Sequence, residues 1–324
     1  MKKIIIGFAV LIILLIIGLI ALPSLIPSSV YKENIETQLS RELAREVRVQ
    51  GEVKLSVFPV IKANTGRVEI DNPDGFTQER FAQMDAMSAR IKLLPLFSKR
   101  VEIASFTLKN PAINLEKRAS GETNWAFGED TDPKTESEGP FKRDGRYSHI
   151  DPKIGNFTLE NAAITYADRQ SGTDMALRDV NVSFELPSLS DPIAIDGSLV
   201  YNDTPATIGL NLNSIRDFLD GKETPVTLSL KTDFADISAK GRFLAGQDIS
   251  FDLDAAANVS DIAKLAALSP SEIPNADLLN TAKLSGNYSY DGTDSLASLI
   301  MTMSLVRMVI FPPLHPQSQT SSRR

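Results

Sequence analysis

The chain of 324 residues contains no cysteine. Disulfide frameworks, thiolate metal sites and cysteine nucleophiles are excluded with it. Histidine occurs twice, at His149 in a polar stretch and His315 near the C-terminus, and neither has a partner at triad or metal-ligand spacing. No glycine-rich phosphate loop, dinucleotide fingerprint, zinc-helix motif or nucleophile elbow is present. Positive charge is short, 34 Lys and Arg against 41 Asp and Glu, and a net charge of −7 argues against nucleic acid as a partner. Tryptophan occurs once, at Trp125, and reads as a packing anchor. These absences point away from an enzyme. No cofactor and no metal is expected.

Long apolar runs are also scarce, with one exception. Residues 4–22, IIIGFAVLIILLIIGLIAL, carry no polar side chain. As a helix they span roughly 28 Å, the thickness of a bilayer's hydrocarbon core. Lys2 and Lys3 precede the run and the first acid is Glu33. The positive-inside rule therefore leaves residues 1–3 in the cytoplasm and the rest of the chain outside. A cleaved signal is the rival reading. It fits less well, because the run is long and Leu19 stands where a small residue would be wanted before Ala21.

Pro23 and Pro27 end that helix. Residues 28–47 then place Val30, Ile35, Leu39 and Leu43 near helical spacing, with Ser29 as the expected N-cap of an amphipathic helix. After residue 47 the period becomes two. Val47, Val49, Val53, Leu55 and Val57 alternate with polar residues, and the same alternation returns at 180–186, 208–212, 226–230 and 249–253. Short helices are expected at 76–87, 214–219 and 259–268. Residues 128–152 read as a polar, flexible surface loop between two runs of sheet.

Residues 106–121, FTLKNPAINLEKRASG, return as 157–172, FTLENAAITYADRQSG, at a constant offset of 51. Such repetition marks a unit that stacks on copies of itself to bury its apolar face. The result is one long sheet with a continuous apolar side. It either folds over into a closed sandwich or curls into a trough whose inside contacts acyl chains. The alternation offers Val53, Leu55, Val57, Ile91, Leu93, Ile113, Leu115, Ile164, Tyr166, Val182, Phe184, Leu228 and Phe251 as candidate groove-lining residues.

The apolar anchor, G-x-V-x-L-S-x-F-P in residues 51–59, the L-P-L turn at 94–96 and the closing G-x-x-N-W at 121–125 occur together. In that combination the chain resembles the AsmA family of bacterial envelope proteins over residues 1–300, most closely over 1–127. The resemblance implies a single-pass inner-membrane anchor and a periplasmic β-rich body related to chorein-like groove proteins that conduct phospholipid. It also implies a part in outer-membrane biogenesis, by passive transport or shielding of phospholipid, or by regulating the targeting and assembly of outer-membrane proteins. Expected partners are phospholipid acyl chains, the inner membrane, and outer-membrane or other envelope proteins.

The expected fold is mainly β: a transmembrane helix and a short amphipathic helix, then an elongated, curled antiparallel sheet, a repeated β-groove, with few short helices. A first β module (48–127) and a second (153–300) frame the loop. The second is expected to stop in mid-repeat, and residues 301–324 to form a disordered tail.

Overall fold

A computed structural model describes residues 27–57, 60–98, 100, 102–126, 153–245, 249–268, 280–290 and 298–306. The expected anchor (4–22), the polar loop (128–152), both histidines and the chain beyond 306 lie outside these residues. The first element is helix α1, Ser28–Leu43. Tyr31, Ile35, Leu39 and Leu43 recur every fourth residue and pack on Val47, Val49, Val53, Val68 and Met84. Sequence spacing places Val30 on that stripe, but it lies one position off it and is 44% exposed. The helix also ends before residue 47: Ala44 turns left-handed, with φ 52°, and its N–H returns to the Arg41 carbonyl. Ser29 does not cap it; Pro27 holds the N-cap position without a side-chain hydrogen bond.

Among the described residues seventeen strands form one sheet. The first eight are β1 (Val47–Val49), β2 (Lys54–Ser56), β3 (Val60–Thr65), β4 (Val68–Asp71), β5 (Arg80–Met84), β6 (Ala86–Lys92), β7 (Glu102–Lys109) and β8 (Ala112–Lys117). Then come β9 (Lys153–Asp168), β10 (Thr173–Leu186), β11 (Ile193–Tyr201), β12 (Thr204–Leu212), β13 (Thr224–Lys231), β14 (Ala235–Ala245), β15 (Ile249–Val259), β16 (Thr281–Tyr290) and β17 (Ser298–Val306). Among the described residues three short helices interrupt them: α2 (Leu93–Leu96), α3 (Ile215–Leu219) and α4 (Ile262–Ala267). Ser214 caps α3 by accepting from the Asp217 N–H, and Asp261 caps α4 by accepting from the Lys264 N–H.

The registers join the short strands into longer ones. β1 and β2 lie antiparallel to β4 and β3, which in turn pair with β5 and β6, so each of these couples is one bent strand. β7 and β8 form another, and β9 and β10 bend in mid-course. Gly51, Asn110, Asn161 and Asp179, with φ of 83°, 48°, 54° and 50°, sit at the bends. Glycine has no Cβ to clash there, and Asn and Asp tolerate the left-handed region better than other residues. Hydrogen bonds tie the bends together. The Asp85 N–H donates to the Lys109 carbonyl (3.1 Å), Asn110 Nδ2 to Asp85 Oδ2 (3.0 Å), and Asn161 Nδ2 to Asn110 Oδ1 (2.9 Å). A fold line thus separates a short section (β1, β4, β5, β8 and the adjoining ends of β9 and β10) from a long one running from β2 to β17.

The sheet is an antiparallel meander with one exception. β7 and β8 pair with β9 in parallel, from Glu102 against Lys153 to Lys117 against Asp168. Every pair in that junction is offset by 51 positions, the offset of the sequence repeat. The two copies therefore lie side by side, each residue against its equivalent in the other copy, with Phe106 stacked on Phe157 at 6.0 Å. Thr165 Oγ1 donates to Asn114 Oδ1 at 2.9 Å.

Three further expectations are corrected. Residues 76–87 hold β5 and the start of β6, not a helical turn, because Phe81, Ala82 and Met84 are buried in pairings with β4 and β8. The L-P-L turn is one turn of helix, α2. The second module does not stop at residue 300: β17 runs to Val306, paired along its length with β16.

Candidate functional site

The registers define rows of side chains that cross the long section on one face. One row runs Leu55, Ala63, Ala89, Phe106, Phe157, Phe184, Ile195, Leu210, Leu228, Ala239, Ala255, Gly286. None is polar. The row one residue along each strand faces the opposite side. It runs Lys54, Asn64, Ser88, Thr107, Thr158, Ser183, Asp196, Gly209, Ser229, Ser238, Ala256, Ser285 and is polar throughout save Gly209 and Ala256. At about 4.8 Å between strands, the apolar row is roughly 50 Å long.

Among the described residues, cover for that apolar face is confined to its margins. Along one margin Leu186, Ile193 and Val226 are buried, and Phe218 of α3 packs on Phe243 at 5.5 Å. Along the other, Ile262 and Leu265 of α4 pack on Phe234, Ala235, Val259 and Ala282. Between the margins Phe184, Ile195, Leu210 and Leu230 are only half-buried, and Leu228 is 40% exposed. This is the burial profile of a curled, open sheet. A closed sandwich would bury the middle of the row most deeply, and here the middle is the most exposed part. β2 pairs with β3 and β17 with β16, and among the described residues neither edge strand has a second partner.

Side chains along the row change in size. Phe106, Phe157 and Phe184 stack in sequence, the last two at 4.7 Å. Aliphatic Ile195, Leu210 and Leu228 follow, then Ala239, Ala255 and Gly286. Beside this small-residue stretch, Phe251 lies between Phe243 (6.3 Å) and Tyr290 (5.7 Å). They border an open hollow of about 250 Å3 that also includes Glu223, Arg242 and Asp252. Arg242 bridges Asp252 at 3.0 Å and Glu223 at 3.2 Å, and its pKa is raised, chiefly by the hydrogen bond to Asp252. Asn287, then Arg242, donate to the Asp252 carboxylate and hold its pKa below the ordinary value. These groups are solvent-exposed, and both shifts favour the charged forms, Arg242 protonated and Asp252 ionised. Among the described residues no cluster of three metal-ligating side chains occurs.

The sequence-predicted residues divide by section. Leu55 and Ile91 lie on the apolar face at the start of the long section, and Val57 follows β2 there. Val182, Phe184, Leu228 and Phe251 line its middle and far part. Ile113, Leu115, Ile164 and Tyr166 lie in the short section, where Ile113 pairs directly with Ile164 and Leu115 with Tyr166. Ile164 packs against Leu159, Ala162 and Val180, and Trp125 rests on Tyr166 at 6.1 Å. Val53 is 3% exposed beneath α1, so it is core and no open surface. Leu93 belongs to α2, at a strand tip. The alternation pattern missed Ala63, Ala89, Ala239 and Ala255, since alanine carries no strand signature. It also passed over Phe106 and Phe157, although the repeated FTL tripeptides contain them.

The profile of the AsmA family matches residues 1–305. No curated protein matches the chain. The two-faced, repeated sheet is thus carried by a sequence whose family signal covers nearly its whole length: the chain belongs to the AsmA family.

Proposed function

We propose that this protein is a non-enzymatic envelope component that shields phospholipid acyl chains along its apolar row, anchored by residues 4–22 in the inner membrane with its body in the periplasm. The observation that carries this reading is the uncovered middle of a row that is apolar on twelve successive strands. Each methylene moved from water onto such a surface gains about 0.8 kcal/mol. Holding a chain therefore needs no specific contact, and head groups can stay in water. A groove of this kind is passive. Transport along it in outer-membrane biogenesis follows from any difference in lipid supply between its ends.

A second reading has one observation in its favour. β17 offers nine residues of backbone with one side paired among the described residues, and strand addition there would recruit an outer-membrane protein during its assembly. Mass spectrometry of lipid retained after gentle purification separates the two. Phospholipid at a fixed ratio to protein supports the groove. Lipid-free, folded protein that binds an unfolded outer-membrane strand supports the edge.

A further inference from the structure

Leu94 and Phe97 are the most exposed large apolar side chains among the described residues, at 79% and 78%; Val30 follows at 44%. Both sit at the tip between β6 and β7, in and just after α2. An apolar side chain held in water forgoes the transfer free energy that burial supplies, so a pair this exposed marks a contact surface.

The surroundings indicate what it contacts. Lys62, Arg90, Lys92 and Arg100 are all exposed around this tip, and Lys62 pairs directly with Arg90 across β3 and β6. Among the described residues Glu102 answers Lys92 at 3.3 Å, and the other three cations have no carboxylate partner. A concentration of positive charge in a chain of net charge −7 is a local feature with its own partner.

Chain direction supplies the third observation. The Val47 N–H donates to Ser40 Oγ (2.9 Å) and the Val49 N–H to Glu36 Oε1 (2.6 Å), so α1 runs antiparallel to β1. Moving from β1 into β2 is therefore moving toward the start of the helix. The β2–β3 and β6–β7 tips and exposed Val30 share that end of the sheet. Pro27, the first described residue, lies at that end too.

We propose that the β6–β7 tip docks on an anionic phospholipid bilayer. Leu94 and Phe97 enter the boundary between head groups and acyl chains, and the four cations meet lipid phosphates. The tip makes this contact whether or not the groove carries lipid. If it does, Ile91 and Ile61, paired across β6 and β3, lead from the bilayer surface onto the apolar row.

The test uses the full chain carrying Trp125→Phe and Phe97→Trp, reconstituted in vesicles of phosphatidylethanolamine and phosphatidylglycerol. Circular dichroism checks the fold, which an exposed position should not disturb. The expected result is a blue-shifted indole emission, strongly quenched by lipids brominated near the top of the acyl chain. Quenching should weaken when Lys62→Glu and Arg90→Glu are added or when phosphatidylglycerol is omitted. Emission typical of a water-exposed indole would overturn the proposal. So would a blue shift without bromine quenching, which would mean that protein covers the tip. Quenching indifferent to both the charge substitutions and the lipid charge would overturn the role of the cations.

Discussion

Asn124 has no exposed surface, and its side chain is fully engaged. Its Oδ1 accepts from the Glu116 N–H at 2.8 Å, and its Nδ2 donates to the Asn114 carbonyl at 2.7 Å and to Asn72 Oδ1 at 2.9 Å. One side chain thereby fastens the segment before Trp125 to β8 and to the β4–β5 turn. The neighbouring buried carboxylate, Glu116, accepts from Thr77 N and Oγ1 at 2.9 and 2.8 Å and pins the other side of that turn. Asn124→Ala should cost several kcal/mol, since each buried group left without a partner costs about 1–3 kcal/mol. Urea denaturation would measure it. A loss below about 0.5 kcal/mol, the range of ordinary surface substitutions, would show that water replaces the amide. The motif G-x-x-N-W was legible as a motif, but its reason was not. Sequence gives no sign that its Asn is the buried member while its Trp stays 36% exposed.

At the scale of elements, the repeat explains itself through register. A parallel junction brings residue i beside residue i + 51, so conserving the sequence between copies conserves which side chains meet. Both turns that follow keep a left-handed glycine, Gly121 (φ 89°) and Gly172 (φ 73°). The copies differ where a difference helps: Lys117 of the first faces Asp168 of the second at 3.6 Å. Asp168 also accepts from the Ser171 and Gln170 N–H groups across the β9–β10 turn, and these, the Ser171 bond foremost, lower its pKa. A carboxyl whose folded pKa is depressed stabilises the fold above its unfolded pKa, about 3.9, and that contribution fades as pH falls through the folded value. Asp168→Ala should therefore melt lower than wild type at neutral pH, with the gap closing in acid. A gap that stays constant from neutral pH to strong acid would mean that the charge plays no part. Strand existence was read correctly wherever large apolar residues alternate. It failed at 76–87, where Phe81, Met84 and Met87 also suit a helix and only pairing with β4 and β8 decides.

For the whole molecule, the decisive property is the separation of two faces across twelve strands. A sequence shows alternation within each strand but not which position of one strand lies beside which of the next. The continuity of the apolar row, including its alanines, therefore emerges only with the registers. The alternation also could not choose between a closed sandwich and an open trough, because both bury one face. Burial chooses the trough: the margins are closed and Leu228, at mid-row, is open. Leu228 and Ser229 are consecutive, both exposed, and on opposite faces. A photo-cross-linking residue placed at one or the other, in cells, gives the most direct test of a lipid-bearing groove. Position 228 should yield phospholipid adducts and position 229 few or none. Equal yields at both positions, or protein adducts alone at 228, would contradict it.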